Sequence, residues 1–71
     1  PEHSIVEVII PAEFHGKSLK EIDLRRHYGL SVLAVGSVEN FKINPNPEER
    51  LYKGWAMVVI GANKDIQRLP I

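Results

Sequence analysis

The sequence predicts an α+β domain: an antiparallel sheet of about four strands carrying one main helix and a short C-terminal helix, in the order β-α-β-β-β-α. Three observations carry that prediction. Runs rich in β-branched residues stand at 4–10, 30–38 and 55–61. A helix start at Ser18 with Glu21, and a stop at Gly29, lie between the first two runs. The later strands are joined by short turns, and strands so joined pair antiparallel.

Taken in order, residues 4–10 alternate, with Ile5, Glu7 and Ile9 on one face and Val6, Val8 and Ile10 on the other, until Pro11 removes a ladder donor. Residues 14–17 read as a turn. Ser18 and Glu21 then form a capping box, in which the serine hydroxyl takes one orphan amide and the glutamate answers back. A helix over 19–28 follows, with Leu19, Ile22 and Leu24 as its apolar stripe and Gly29 as a left-handed cap. The next strand, 30–38, sets Val32, Ala34 and Gly36 on one face and Leu33 and Val35 on the other; the small residues leave room for a neighbouring strand or a ligand. Glu39-Asn40 reads as a hairpin turn into a short strand at 41–43. Asn44-Pro45-Asn46-Pro47 is a rigid extended loop, because each proline restrains the residue before it. A turn at Lys53-Gly54 leads into 55–61, the most apolar strand, and Asn63 is placed to cap a last helix over 64–69, stopped by Pro70.

Seventy-one residues allow one domain, residues 1–71. A chain this short buries only about 60% of its extended surface, so help from a second subunit is expected. The absence of cysteine excludes disulfides, thiolate metal sites and thiol nucleophiles, and suits a reducing, cytoplasmic setting. Nine basic and nine acidic residues balance, which argues against nucleic acid as a partner. The longest apolar run, 56–60, is far short of the ~20 residues that span a bilayer, so a soluble piece is expected. A start at Pro1 without Met and an end at Ile71 suggest a segment of something longer.

Little in the sequence points to catalysis. The five glycines stand apart and build no phosphate-cradling loop. His3, His15 and His27 lack second ligands at zinc spacing. The serines lack an activating motif, and Glu21 and Asp23, two apart on a helix, do not face each other as an acid/base pair. The cluster 23–27 is either a solvated helix face with local Asp–Arg pairing or an anion or partner contact, and Trp55 is either packing or a stacking platform for a base.

Three strings in this order are more specific. They are Phe14-x-Gly16-Lys17-Ser18-Leu19-x-x-Ile22-Asp23-Leu24-Arg25-x-x-Tyr28-Gly29-x-x-Val32-Leu33-Ala34-Val35; then Ile43-Asn44-Pro45-x-Pro47; then Leu51-x-x-Gly54-x-x-x-Val58-Val59-Ile60-Gly61. Together they closely resemble the TrkA C-terminal domain, the C-lobe of RCK regulatory domains. The likeness runs from about Ile5 to Leu69. It implies a noncatalytic regulatory module that pairs as a homodimer and serves a potassium channel or transporter at the cytosolic face of the membrane. It also implies a Trk- or Ktr-type parent whose N-terminal nucleotide-binding lobe would hold any NAD or ATP, with no cofactor inside this domain.

In some members of that family cyclic di-AMP binds between two C-lobes. The matching positions here are Val32, Leu33 and Ala34 on the strand and Ile43, Asn44 and Pro45 on the loop. Apolar walls there can hold adenine rings and an Asn amide can meet a base edge. The resemblance has two departures. Such members commonly carry a basic residue near the end of the second strand, where this chain has Gly36-Ser37-Val38, leaving Lys42 as the substitute, and Trp55 stands where an acidic residue is common. The rival reading is a purely structural dimerisation module without a small-molecule ligand.

Overall fold

A computed structural model describes residues 2–71. Its elements are β1 (His3–Ile9), a 3-10 turn (Ala12–Phe14), α1 (Leu19–Ile22), α2 (Leu24–Tyr28), β2 (Ser31–Ser37), β3 (Asn40–Ile43), β4 (Ala56–Ala62) and α3 (Asn63–Ile66). The predicted order of strands and helices is thus observed. The four strands form one antiparallel sheet in the order β1-β4-β2-β3, with the most apolar strand, β4, between β1 and β2.

One face of the sheet carries the core. Val6 and Val8 on β1 stand opposite Val59 and Met57 on β4, and these meet Val32 and Val35 on β2. Leu30, Leu51, Met57, Val35 and Val59 are fully buried, and burial of each such side chain contributes roughly 1.5–3 kcal/mol. The helices and Leu69 close over this layer through Phe14, Ile22 and Leu24. The other face has no cover: Ile5 and Ile9 on β1 are 61% and 58% exposed, and Ile43 on β3 is 76% exposed.

The predicted single helix over 19–28 is broken at Asp23, which takes a left-handed conformation (φ 50°, ψ 62°). In an unbroken helix Ile22 and Leu24 would point about 200° apart. The break lets both reach the core, at 6% and 3% exposure. Asp23 then caps the second helix, its carboxylate accepting from the Arg26 amide. The capping box forms as predicted: the Ser18 amide donates to Glu21 Oε1 at 2.8 Å, and the Glu21 amide donates to Ser18 Oγ at 3.1 Å. Gly29 takes the left-handed cap position at φ 70°.

Three local expectations change. The hairpin turn is Val38-Glu39, one residue earlier than predicted. β2 does not alternate strictly, because its register against β4 shifts between Val32 and Ala34, leaving Leu33 as a bulge. Val32 and Val35 therefore share the core face, while Ala34 and Gly36 face the uncovered side. Finally, Asn63 does not cap α3. Its amide donates to Glu2 O at 2.8 Å and its side chain accepts from Ser4 Oγ, so it ties the end of β4 to β1.

Candidate functional site

The bulge in β2 gathers most of the sequence-predicted site residues. Ala34 lies opposite Ile43 in the β2–β3 ladder, and the Asn44 amide donates to the carbonyl of the bulge residue Leu33 at 2.8 Å. Asn44 itself is left-handed (φ 52°), a conformation Asn tolerates better than most residues. Leu33 and Ile43 are exposed, whereas Ala34 is buried among its strand neighbours. Val32 points to the other side of the sheet. There it lines a cleft of about 280 Å³ together with Pro45, Pro47, Leu19, Leu24 and Leu30. The six residues thus divide between a rim of three apolar residues and Asn44 (Leu33, Ala34, Ile43, Asn44) and this cleft (Val32, Pro45), joined at the bulge.

The proline loop is held against α1. Its carbonyls at Pro47 and Glu49 accept from the Lys20 and Leu19 amides at 2.8 and 2.9 Å, which satisfies two donors that the start of a helix leaves unpaired. Arg50 continues the contact by donating to Gly16 O at 2.7 Å and pairing with Glu21 at 3.3 Å. Glu21 is held below the ordinary carboxylate value of 4.5, chiefly because its oxygen accepts from the Ser18 amide, with the Arg50 charge a smaller cause. The loop is therefore ordered by backbone bonds at both ends, and its prolines present fixed apolar surface to the cleft.

Electrostatics around the site differ from the sequence expectation. Gly36 leaves room for a strand, not for a ligand: a Cβ there would run into the Asn40 carbonyl oxygen and press on Phe41 Cα at 3.1 Å. Lys42 stands opposite Val35, on the core-facing side of the hairpin, and pairs with Glu49 at 3.0 Å. Its place opposite Val35 points it away from the Ala34–Ile43 rim. The cations that do reach the site are Lys20 and Arg25, which line the cleft with Ser31 and Asp23. Both cations lie on the helix the sequence predicts over 19–28, and Arg25 belongs to the 23–27 cluster, whose position beside the start of β2 only the fold reveals.

The remaining candidates take structural places. Trp55 is half-buried against the core and meets Tyr52 edge-on, with ring centroids 4.9 Å apart. His15 Nε2 and His27 Nδ1 stand at 3.2 and 3.1 Å from the carbonyls of Ile10 and Ile22. Among the described residues no three His, Asp or Glu side chains gather as a metal site, and no helix is long and apolar enough to cross a membrane.

Comparison with known proteins gives consistent matches. The TrkA-C domain family matches residues 4–69. The chain is 30% identical over 67 residues to Ktr system potassium uptake protein C of Bacillus subtilis (strain 168), and 31% identical over 67 residues to Ktr system potassium uptake protein A of the same organism. Each alignment covers 94% of this chain but only 30% of the relative's length. Among solved structures, the RCK C domain of potassium transport protein KtrA, in complex with cyclic diadenosine monophosphate, superposes with a TM-score of 0.88 at 35% identity, covering 97% of this chain and 81% of that one. The RCK domain of GsuK superposes at 0.81 and 25% identity, over 93% of this chain and 15% of that one. The RCK_C domain dimer of BusR from S. agalactiae, at 0.84 and 21% identity over 97% of this chain and 88% of that one, shares the fold.

Proposed function

This chain belongs to the TrkA-C domain family, and on that footing we propose that it is a noncatalytic, ligand-sensing and dimerisation module of a potassium channel or transporter system, with cyclic di-AMP as its ligand. The observation that carries the reading is its 35% identity and 0.88 TM-score to a KtrA domain in complex with that dinucleotide. The local chemistry supports it. Leu33, Ala34 and Ile43 offer apolar contact for adenine, Asn44 offers an exposed amide for a base edge, and Val32 with Pro45 carries the same surface into the cleft.

The domain pairs with a second copy across the β2–β3 rim, where Leu33, Val38 and Ile43 are exposed at 38%, 71% and 76%. β2 takes part through its face, since β4 and β3 occupy its edges. A twofold-symmetric ligand suits such a pair. In the assembled protein an N-terminal nucleotide-binding lobe holds any NAD or ATP, and the whole works at the cytosolic face of the membrane beside its transporter. Ligand binding acts by favouring one arrangement of the pair over another, which requires that its affinity differ between them.

The test is titration calorimetry of the chain with cyclic di-AMP, run beside sedimentation velocity. Dimers that release heat with one dinucleotide per pair are the expected result; a monomer without a heat signal removes the reading. A second reading, a dimerisation module with no small-molecule ligand, is favoured by the strand end Gly36-Ser37-Val38, which carries no cation. It predicts dimers indifferent to the nucleotide.

A further inference from the structure

A phosphate group bound beside the bulge needs a cation, and the strand end cannot provide one. Gly36 is closed by the Asn40 carbonyl, and Lys42 is paired with Glu49 and does not line the cleft. The cleft behind Val32 and Pro45 offers a different source. Arg25 lines it, forms no ion pair among the described residues, and has as its side-chain partner only Ser31 Oγ, at a long 3.4 Å. Lys20 lines the same wall, and its ammonium also makes no ion pair among the described residues. Asp23 is the one carboxylate on the lining, so the formal charge of the cleft is two cations less one anion, or +1.

We propose that Arg25, with Lys20 and the Ser31 hydroxyl beside it, receives a phosphate group of a nucleotide ligand in the cleft between α1–α2 and the start of β2. The guanidinium fork matches two phosphate oxygens at once, and the serine hydroxyl donates to a third. Val32, Pro45 and Pro47 then form the apolar floor against which the sugar or base leans. The volume agrees with a partial site. At about 280 Å³ the cleft is close to the roughly 300 Å³ at which small-molecule pockets begin, room for a phosphate and part of the sugar or base attached to it. This assignment rests on the nucleotide reading above but places the charge recognition on the helical side of the cleft instead of the strand end.

The experiment compares wild type with R25Q, D23N and K42Q in calorimetric titrations with cyclic di-AMP, with circular dichroism confirming that each variant folds. Arg25 is exposed, and Asn suits the left-handed backbone at position 23 while keeping an oxygen for the Arg26 amide. R25Q is expected to weaken binding about tenfold or more, the usual loss for a hydrogen bond to a charged group. D23N tightens binding severalfold by removing the opposing carboxylate, and K42Q leaves it unchanged. Equal affinity of R25Q and wild type, or a loss in K42Q as large as in R25Q, overturns the assignment. If the wild type takes no cyclic di-AMP at all, the dinucleotide reading falls, and the cleft is judged separately with ADP as probe in amide NMR spectra. Shifts of the Ser31 and Val32 resonances that vanish in R25Q uphold the phosphate site; no shifts, or shifts equal in both proteins, overturn it.

Discussion

Replacing Gly36 by Ala tests the geometry on which the charge argument stands. The residue sits at φ +156°, and an added Cβ would overlap a backbone oxygen, a neighbour that cannot rotate away as a flexible side chain could. Backbone strain of this kind costs roughly 1–3 kcal/mol, and overpacking a closed site costs roughly 1–3 kcal/mol more. The expected loss is their sum, about 2–6 kcal/mol, and each kilocalorie lowers Tm by about 4–8 °C in a domain of this size. Gly16→Ala is the internal control, because Gly16 also has a positive φ (+82°) but nothing within 4 Å of the added carbon. Its loss reflects backbone conformation alone, about 1–2 kcal/mol. Thermal unfolding followed by circular dichroism, at one fixed protein concentration because an associating chain has a concentration-dependent Tm, measures both variants. The reasoning is refuted if Gly36→Ala unfolds at or above the wild-type temperature, as a Gly→Ala change at an unstrained position would by about 0.4–1 kcal/mol, or if it loses no more than Gly16→Ala.

Ser18→Ala removes a buried hydroxyl that caps α1, and is expected to cost about 1 kcal/mol in urea unfolding, with Ser18→Thr recovering most of it. Glu21→Gln keeps an oxygen for the Ser18 amide but loses the charge. Because folding lowers the pKa of Glu21, its carboxylate stabilises the fold above pH 4.5 and that contribution disappears as pH falls through the lower folded value, so the variant should show a flatter fall in Tm below pH 4.5 than wild type. Ile43→Glu places a charge on a rim residue that touches no core, and sedimentation should show dimers giving way to monomers while the circular dichroism spectrum is unchanged.

The sequence made the strand and helix order readable because its signals were local. The alternation of 4–10, the Ser18–Glu21 box and Gly29 each act within a few residues, and each appears where the pattern places it. What it hid depended on partners distant in the chain. The bulge at Leu33 exists because β2 must fit β4 and also receive the Asn44 amide, and no property of residues 31–37 alone announces it. The break at Asp23 likewise answers a packing demand, two core residues only two positions apart. The site suffered most from this. Strict alternation put Val32 and Ala34 together, whereas the bulge sends them to opposite sides; and Lys42, adjacent in sequence to the rim, faces away from it, while Arg25, distant in sequence, borders the cleft.

The position of that arginine also bears on whether a module this small can switch. Driving a pair of arrangements from 1:99 to 99:1 takes about 5.5 kcal/mol of differential binding. Divided between two equivalent halves, this is about 2.7 kcal/mol per copy, within the roughly 1.5–3 kcal/mol of a single hydrogen bond to a charged group. With the phosphate held as proposed, one guanidinium–phosphate contact per copy suffices, provided it is made in only one arrangement. The proline loop gives a reason for such selectivity. It is bonded to the Leu33 carbonyl at one end and to the α1 amides at the other, so Pro45 and Pro47 on one wall of the cleft keep a fixed distance from the helix that carries Lys20. A rigid half-site cannot adapt to a displaced phosphate. Movement of one copy against the other by an ångström or two would then break the contact outright, which is how a modest ligand energy becomes a choice between two states.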